Sequence, residues 1–301
     1  MRAPTVLVIS NPAAGRGTGL RALPAVRSAL GAANLSRDEA IATEPGQAWA
    51  LAERAARDGY DTVVAVGGDG TLHEVVNGVL RGRPEHPPAL AVIPAGTANI
   101  FARALGLPKD LVAAARVLVD GTRRRIDAGR VNDRYFATVA GAGLDGAVVR
   151  LASRWPRWIG GKLRHVVAGL VTLATYRPAQ VRLWIDGQEQ TESLILLAAA
   201  NTSWYGGGIH IAPLARVDDG LLSVVSIGDV GRLETIRLLR LAFSGRHLDQ
   251  RQVGHALARE VRVESDTPLA IQADGENIGA LPARFRCVPG ALELIVPRRD
   301  G

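Results

Sequence analysis

Cysteine is nearly absent from this chain, with Cys287 as the single example among 301 residues. One thiol can form neither an internal disulfide nor a cysteine metal site, so the composition favours a reducing, cytoplasmic setting. Aromatic residues make up only 4%, and neither zinc-finger spacing nor an RNA-recognition signature occurs, which argues against nucleic acid as a partner. No uninterrupted apolar run approaches the roughly 20 residues that span a bilayer.

Lysine is also scarce, since Lys109 and Lys162 are the only two, yet the net charge is +7 because arginine supplies the other cations. A positive balance suits an anionic partner such as a nucleotide or an acidic membrane, without choosing between them. The hydrophobic content of 47% and the length of 301 residues are sufficient for two domains with proper cores.

The most informative segment is GGDGT, residues 67–71, which directly follows an apolar, β-branched run at 62–66. Glycines at the carboxyl end of a buried strand let the backbone approach a phosphate closely, and the next helix adds its positive end. A carboxylate among such amides, Asp69, indicates a cation such as Mg²⁺ between it and the phosphates. The alternative is that the segment is only a tight loop that joins a strand to a helix.

Two further strands are predicted to end in the same way. Residues 90–93 lead into PAGTAN at 94–99, and residues 6–9 lead into SNPAAGRG at 10–17. Three such ends at one edge of a parallel sheet would form a cleft, which favours a nucleotide-plus-magnesium site over a simple loop.

The motifs NPAAGRG, GGDGT and PAGTANIFAR, in this order, resemble those of the diacylglycerol-kinase-like lipid kinases, which also include sphingosine and ceramide kinases. The resemblance covers essentially the whole chain, because VDDGLL at 217–222 and ADGE at 273–276 match later motifs of that family. GGDG alone is shared with NAD kinases and phosphofructokinases, so the later motifs are what distinguish the lipid kinases from these two families.

The resemblance implies ATP and Mg²⁺ as ligands. The residues expected to bind the nucleotide are Asn11, Gly15, Thr43, Gly67, Gly68, Asp69, Gly70, Thr71, Gly96, Thr97 and Asn99. A carboxylate network around Mg²⁺ is implied for Asp69 and Asp127. The family commonly has a third aspartate directly after the asparagine, where this chain has Ile100, so two of three carboxylates remain.

The candidate acid–base pair is Asp274 and Glu276. Two residues apart on an extended segment, both carboxylates would project to one face, and a kinase needs a group that accepts the proton of the attacking hydroxyl. Asp-Gly is equally a strong hairpin signal, so a plain turn is the alternative. The resemblance implies that the catalytic base lies in this motif, with Asp274 favoured and Glu276 second.

A second metal site is implied by the segment around Asp219. Asp-Gly in this loop is again typical of a solvated turn. In similar bacterial lipid kinases the corresponding loop holds a structural Mg²⁺, which places the ligands here at Asp219 and the main-chain carbonyls of Arg216 and Leu221.

The pattern of elements predicts two domains. Strand and helix alternate from residue 5 to about 119, with helices near 19–30, 46–57, 72–80 and 110–119, which indicates an open, mostly parallel α/β sheet like that of phosphofructokinase and NAD kinase. After Asp127 short strands dominate, at 181–185, 193–200, 221–227, 261–263 and 292–296, with helices near 163–175 and 232–243. The prediction is a nucleotide-binding domain at 1–127, completed by 290–301, and a β-rich lipid-substrate domain at 128–289, which the resemblance implies is a sandwich.

The segment 150–164 combines arginines with Trp155 and Trp158 ahead of an apolar helix. This composition is typical of an element that contacts an anionic membrane surface, and an ordinary core helix with a basic end is the alternative. The resulting hypothesis is a cytoplasmic, ATP-dependent kinase, peripheral at the inner membrane face, that phosphorylates a hydroxyl of a diacylglycerol-like lipid. An NAD kinase and a catalytically weak nucleotide- or lipid-binding regulator are the alternatives, and the assembly state, monomer or homodimer, stays open.

Overall fold

The computed structural model describes residues 5–82, 87–155 and 161–298, with the backbone alone at 161 and 162. The chain divides into two compact units. Unit 1 extends to Asp127 and resumes at Gly290, and unit 2 is Ala128–Pro289. None of the described helices is both long and apolar enough to cross a membrane.

Unit 1 is an alternation of strands and helices. Its elements are β1 (Thr5–Ser10), α1 (Thr18–Ala32), β2 (Ser36–Ile41), α2 (Gln47–Asp58), β3 (Thr62–Gly67), α3 (Asp69–Arg81), β4 (Ala89–Pro94), α4 (Ile100–Ala104), α5 (Leu111–Asp120) and the first part of β5 (Thr122–Val131). The strands pair in parallel in the order β2-β1-β3-β4. β3 and β4 are buried at every residue, as a parallel strand covered on both faces must be.

Unit 2 is rich in antiparallel strands. Its elements after β5 are β6 (Arg134–Phe136), β7 (Val139–Gly143), α6 (Leu144–Ser153), α7 (Gly161–Thr175), β8 (Ala179–Ile185), β9 (Gln188–Ala200), β10 (Leu222–Gly228), α8 (Arg232–Ala242), β11 (Val253–Ala258), β12 (Glu260–Glu264), β13 (Ala270–Ala273), β14 (Glu276–Ala280) and β15 (Ala283–Val296). β15 begins in unit 2 and ends in unit 1, where Leu294 pairs in parallel with Leu90 of β4.

Strand β9 organises the core of unit 2. It pairs antiparallel with β8 along its first half, and with β7 and β10 on either side of its second half. Its buried side chains alternate between two apolar clusters: Leu197 and Ala199 lie in one, and Ala198 and Ala200 lie in the other. Both faces of the strand are therefore covered, as expected for a layered β domain.

The predicted fold class is confirmed: a parallel α/β region comes first and a β-rich region follows. The predicted helices and strands are present, but the strands predicted at 193–200 and 292–296 begin earlier, at Gln188 and Ala283. The apolar stretch from Ile100 to Leu107 forms a helix only as far as Ala104. The sequence patterns missed β7, α6, β13 and β14, which lie next to the candidate acid–base pair.

Candidate active site

The ends of three parallel strands lie at one edge of the sheet in unit 1, as predicted. Ser10 at the end of β1 is opposite Val66 of β3, and Gly67 at the end of β3 is opposite Pro94 of β4. The loops that follow these strands, at 11–17, 68 and 95–99, therefore leave the sheet side by side. In an open α/β sheet this is the edge at which ligands bind.

Glycine is required in these loops because their backbones approach each other closely. A Cβ atom at Gly96 would lie 2.4 Å from the Cα atom of Gly68, and one at Gly68 would lie 3.1 Å from the Cα atom of Gly96. A Cβ atom at Gly15 would lie 2.1 Å from the carbonyl oxygen of Ala95, and Gly15 also has φ +54°. A side chain at any of the three would push the loops apart.

Polar side chains tie the same loops together. The Asn11 Nδ2 atom donates to the hydroxyl of Thr71 at 3.1 Å, which joins the β1 loop to the first turn of α3. Asn99 has φ +48°, and its Oδ1 atom accepts from the Gly96 N–H at 2.9 Å while its Nδ2 atom donates to the Pro94 and Gly96 carbonyls. These bonds fix the loops before any ligand arrives.

The predicted nucleotide-binding residues around these loops differ in their exposure. Asp69 begins α3 and is partly buried, whereas Gly70 and Thr97 are exposed. The Asp69 Oδ1 atom accepts from the N–H of Phe101 at 3.3 Å, so it binds the first turn of α4. Ile100, which replaces the expected family aspartate, is only 6% exposed and belongs to the apolar core.

Thr43 lies two residues after the end of β2, which is the fourth strand of the parallel sheet. It is exposed, and both its N–H and its hydroxyl donate to the Oε1 atom of Gln47, at 2.7 and 3.2 Å. The adjacent start of α2 is held by Glu74 of α3, whose carboxylate accepts from the N–H groups of Gly46 and Ala48. The sequence patterns did not identify Gln47 or Glu74.

Asp127 lies near the end of unit 1 and is buried, with 3% of its surface exposed. Its Oδ1 atom accepts from the N–H of Gly290 at 2.7 Å, so it joins the two places where the chain leaves and re-enters unit 1. Within the described residues, no group of three or more His, Cys, Asp or Glu side chains lies together in a way that could hold a metal ion. The sequence supplies two of the three carboxylates that the resemblance implies, Asp69 and Asp127, because Ile100 stands where the family commonly has the third.

Asp274 and Gly275 form the turn between β13 and β14. The expectation that they lie on an extended segment is wrong, because Asp274 has φ +49° and Gly275 has φ +84°. Positive φ at both central positions is the type I′ hairpin turn, for which Asp-Gly is a preferred sequence. The carboxylates of Asp274 and Glu276 consequently have different surroundings.

The Asp274 carboxylate folds back onto the chain just before β7. Its Oδ2 atom accepts from the N–H of Ala137 at 2.8 Å, and its Oδ1 atom accepts from the N–H and the hydroxyl of Thr138 at 2.8 and 2.6 Å. The Thr138 carbonyl in turn accepts from the N–H groups of Asn201 and Thr202. The carboxylate is therefore held in one orientation by rigid backbone donors, whereas Glu276 is exposed at the start of β14.

Asp219 lies in an exposed turn before β10. Its Oδ1 atom accepts from the N–H of Leu221 at 3.0 Å, which is the hydrogen bond of an Asx turn. Arg216, whose carbonyl is the other expected ligand, is exposed, and its guanidinium lies 3.8 Å from Asp218. The three residues are close along the chain, and the turn bond involves one of the two carboxylate oxygens of the exposed Asp219.

A buried acidic residue that the sequence patterns missed lies beside the hairpin turn. Asp145, in the first turn of α6, is 6% exposed, and its Oδ2 atom accepts from the Nε2 atom of Gln272 at 3.0 Å. Burial raises the pKa of Asp145 to about 6, and the hydrogen bonds from Gln272 and Gly146 oppose that rise. The Gln272 Oε1 atom accepts from the Gly275 N–H at 2.9 Å, so this carboxylate connects to the turn that carries Asp274.

Comparison with known proteins identifies both parts of the chain. Residues 5–131 match the family model of the diacylglycerol kinase catalytic domain, and residues 138–296 match that of the YegS C-terminal NAD kinase beta sandwich-like domain. The first match covers the glycine-containing loops of unit 1, and the second covers the Asp274 turn.

Named relatives match over nearly their whole length. A diacylglycerol kinase of Mycobacterium tuberculosis (strain ATCC 25618 / H37Rv) is 36% identical over 300 residues, with 97% of this chain and 95% of that protein covered. A diacylglycerol kinase of Bacillus subtilis (strain 168) is 31% identical over 293 residues, covering 97% and 96%.

A solved structure from Bacillus anthracis str. Sterne, provisionally described as a diacylglycerol kinase, superposes with a TM-score of 0.83 at 25% identity. It covers 97% of this chain and 95% of that one. The motifs at 11–17, 67–71 and 94–103 and the turn at 274–276 thus stand in a chain that aligns from end to end with kinases. The chain belongs to the diacylglycerol-kinase-like family.

Proposed function

We propose that this protein is an ATP-dependent lipid kinase that transfers the γ-phosphoryl group to a hydroxyl of a diacylglycerol-like lipid. The observation that carries the proposal is the close approach of Gly68 to Gly96 and of Gly15 to Ala95 at the edge of a parallel sheet. Loops without side chains at this edge present backbone N–H groups to phosphates. The names of the M. tuberculosis and B. subtilis relatives support the choice of lipid.

ATP is assigned to unit 1. Gly15, Gly67, Gly68, Gly70 and Gly96 would present backbone N–H groups to the phosphates, and the other contacts would come from Asn11, Thr43, Thr71, Thr97 and Asn99. The bond from Asn11 to Thr71 and those of Asn99 to its own loop keep these side chains in place. The binding surface is thus largely ordered in advance, which lowers the entropic cost of binding.

Mg²⁺ is assigned to Asp69 and Asp127 at the nucleotide and to the Asp219 turn as a structural ion. Their donors are carboxylate and carbonyl oxygens, which is the ligand chemistry that Mg²⁺ requires. The partly buried Asp69, at the start of α3, is placed to provide a ligand beside the glycines. When bound at this site, the ion would neutralise the charge of the phosphates.

Asp274 is assigned as the general base. The lipid hydroxyl oxygen forms a bond to the γ-phosphorus, the bond from that phosphorus to the β–γ bridging oxygen breaks, and ADP leaves with the electron pair. The hydroxyl proton passes to the Asp274 carboxylate, which the N–H groups of Ala137 and Thr138 hold in orientation. Glu276 remains the second candidate, and its exposure makes it the weaker one.

The test is turnover with radiolabelled ATP and Mg²⁺ on diacylglycerol in mixed micelles, with NAD as a parallel acceptor. Asp274→Asn should lower lipid phosphorylation by about 10²-fold or more with little change in ATP affinity. Glu276→Gln tests the neighbour. The matched control is Asp186→Asn, because Asp186-Gly187 is also a turn with φ +47° and +86°, and its carboxylate also accepts backbone N–H groups, those of Arg259 and Glu260.

The outcomes separate the hypotheses. Loss in Asp274→Asn alone supports the assignment. Equal rates in Asp274→Asn, Glu276→Gln and wild type overturn the base assignment, and phosphorylation of NAD in place of lipid overturns the substrate assignment. ATP binding without transfer to either acceptor would identify a regulator.

The lipid substrate also motivates contact with an anionic membrane surface. On α7 the apolar residues Leu163, Val166 and Leu170 are 59%, 59% and 64% exposed, and their spacing places them on one face. Arg164 of the same helix is partly buried, and its guanidinium donates to the Trp155 carbonyl at 3.3 Å. Of the segment 150–164 that predicted this contact, Arg157 and Trp158 lie outside the described residues.

Vesicle sedimentation tests this contact. Binding to phosphatidylglycerol vesicles should exceed binding to phosphatidylcholine vesicles, and Leu163→Ser with Leu170→Ser should reduce it. Val112→Ser serves as the control, because Val112 is a similarly exposed residue, at 52%, on α5 of unit 1. Equal binding by all variants contradicts the membrane role of α7.

A further inference from the structure

A buried carboxylate without a cationic partner lies behind the turn that carries Asp274. The two oxygens of Asp145 accept from the Gly146 N–H at 2.7 Å and from Gln272 Nε2 at 3.0 Å. Among the described residues no basic side chain forms an ion pair with it, and burial is the main influence on its protonation. Burying a charge in this way is costly unless hydrogen bonds compensate, so the fold retains Asp145 at a penalty.

Gln272 transmits the state of Asp145 to the hairpin turn. Its side chain is fully buried, and it accepts from the Gly275 N–H at 2.9 Å while it donates to Asp145. A backbone N–H can only donate, so Gln272 must present its oxygen to Gly275 and its NH₂ group to Asp145. The partner of that NH₂ group must then be an acceptor. Both oxygens of the ionised Asp145 carboxylate are acceptors, so either can meet this requirement.

The hydrogen bonds from Gln272 to Asp145 and from Gly275 to Gln272 are here called the chain of bonds. Protonation of Asp145 weakens this chain of bonds. A proton on the oxygen that faces Gln272 would place a donor against a donor, and rotation of the Gln272 amide would create the same conflict at Gly275. Gly275 directly follows Asp274, whose carboxylate reaches Ala137 and Thr138 only while the turn keeps its shape.

We propose that Asp145 is a positioning residue for the general base: through Gln272 and the Gly275 N–H, its carboxylate holds the turn in the geometry that aims Asp274. The inference rests on the proposed function, and it adds a role for residues that touch neither nucleotide nor lipid in that scheme. The residue after Asp145 must be glycine for α6 to lie this close to β13, because a Cβ atom at Gly146 would lie 2.1 Å from the Ala270 carbonyl oxygen.

The charge of Asp145 also affects the pKa values of two nearby tyrosines, Tyr176 and Tyr205. Burial raises the pKa of the Tyr176 hydroxyl and that of Tyr205, and the nearby Asp145 carboxylate raises both further. Arg150 on α6 acts in the opposite direction on Tyr176. Both tyrosines stay neutral across the pH range in which Asp145 titrates, so they do not obscure its titration.

An exchange of functional groups tests the chain of bonds. Asp145→Asn alone leaves an NH₂ group facing either Gln272 or the Gly146 N–H, and Gln272→Glu alone sets two carboxylates against each other. The double variant satisfies every partner: the new amide donates to the new carboxylate, which accepts from Gly275, and the amide oxygen accepts from Gly146. Each single change should lower kcat by about 10-fold or more, and the double variant should recover most of that loss.

Two readouts distinguish positioning from simple structural damage. The KM for ATP should stay within about twofold in all variants, because the nucleotide is assigned to unit 1. In the wild type kcat should fall as the pH drops through about 6, and Asp145→Asn should remove that step. Single variants with wild-type kcat, or a double variant as slow as the slower single, overturn the proposal.

An activity-independent measurement separates this proposal from the proposed function. In protein labelled with ¹⁵N-glycine, the Gly275 amide resonance, identified by its loss in Gly275→Asn, should titrate with a midpoint near pH 6 and should not titrate in Asp145→Asn. If the wild type phosphorylates no lipid but this resonance titrates, the function is wrong and the chain of bonds stands. A resonance that is constant between pH 5 and 7 overturns the chain of bonds.

Discussion

Replacing Gly96 with alanine should disrupt the nucleotide site through a single methyl group. The new Cβ atom would lie 2.4 Å from the Gly68 Cα atom and 2.6 Å from the Asn99 Oδ1 atom. Carbon atoms in contact sit about 3.5–4.0 Å apart, so the loops after β3 and β4 must separate by about 1 Å. The first obstacle is backbone, and the second is the end of the Asn99 side chain, which hydrogen bonds to Gly96 and Pro94 hold in place.

The magnitude follows from the cost of overpacking. Forcing one extra carbon into a closely packed site costs about 1–3 kcal/mol. If this strain is relieved by opening the loops, the affinity for ATP should fall about 5-fold to 150-fold, since each 1.4 kcal/mol is a factor of ten. Gly68→Ala should cost less, because its Cβ atom would meet a single backbone atom at 3.1 Å, and Gly68→Val should cost more.

The assay is calorimetric titration with a non-hydrolysable ATP analogue and Mg²⁺, together with thermal unfolding. Gly31→Ala is the control, because Gly31 lies in α1 and a Cβ atom there would meet nothing within 4 Å. It should raise stability by about 0.5–1 kcal/mol and leave ATP binding unchanged. If Gly96→Ala binds ATP and melts like the wild type, the loops do not form the proposed phosphate site.

Three further outcomes are expected. Asp69→Ala should abolish Mg²⁺-dependent turnover in the activity assay, and the loss of its hydrogen bond to Phe101 should contribute about 1 kcal/mol to the fall in stability measured by melting. Asp219→Ala should lower activity and remove any Mg²⁺-dependent rise in melting temperature; an unchanged rise would contradict a structural ion there. Asp145 binds its proton more tightly when folded, so the free energy of unfolding should fall by about 2 kcal/mol between pH 4 and 6, and Asp145→Asn should flatten that slope.

The sequence predicts unit 1 well because its central strands can be recognised from their own apolar residues alone. β3 and β4 are apolar at almost every position, and in a parallel sheet covered on both faces such runs have few alternatives. The positions of the glycine loops can also be predicted locally, because each loop directly follows an apolar run that forms a strand. The direct contacts between loops, such as that of Asn11 with Thr71, join residues sixty positions apart and needed the structure.

The strands around the Asp274 turn carry a weaker signal. β7 has the sequence VAGAG, which lacks the β-branched alternation of a typical strand, and it exists because β9 and β13 pair with it on either side. A small residue is needed there for a reason that only the structure shows: a Cβ atom at Gly141 would lie 2.2 Å from the Asp145 Oδ2 atom. The donors to Asp274 are largely backbone N–H groups, which any residue type supplies, so no pattern could reveal them.

Two of the Asp-Gly turns of unit 2, those at Asp186 and Asp274, show why the hairpin and the catalytic interpretations of Asp274 do not exclude each other. Asp186 and Asp274 share the dipeptide, the positive φ and the backbone-bound carboxylate, so local sequence and local conformation cannot distinguish them. They differ in what lies behind the turn. Asp186 is exposed and joins β8–β9 to the start of β12, whereas the Asp274 turn is backed by the buried pair of Gln272 and Asp145. Hairpin folding does not require a buried carboxylate behind the turn, as the Asp186 turn shows, so the pair of Gln272 and Asp145 is the feature that the proposed role of Asp274 as general base would account for.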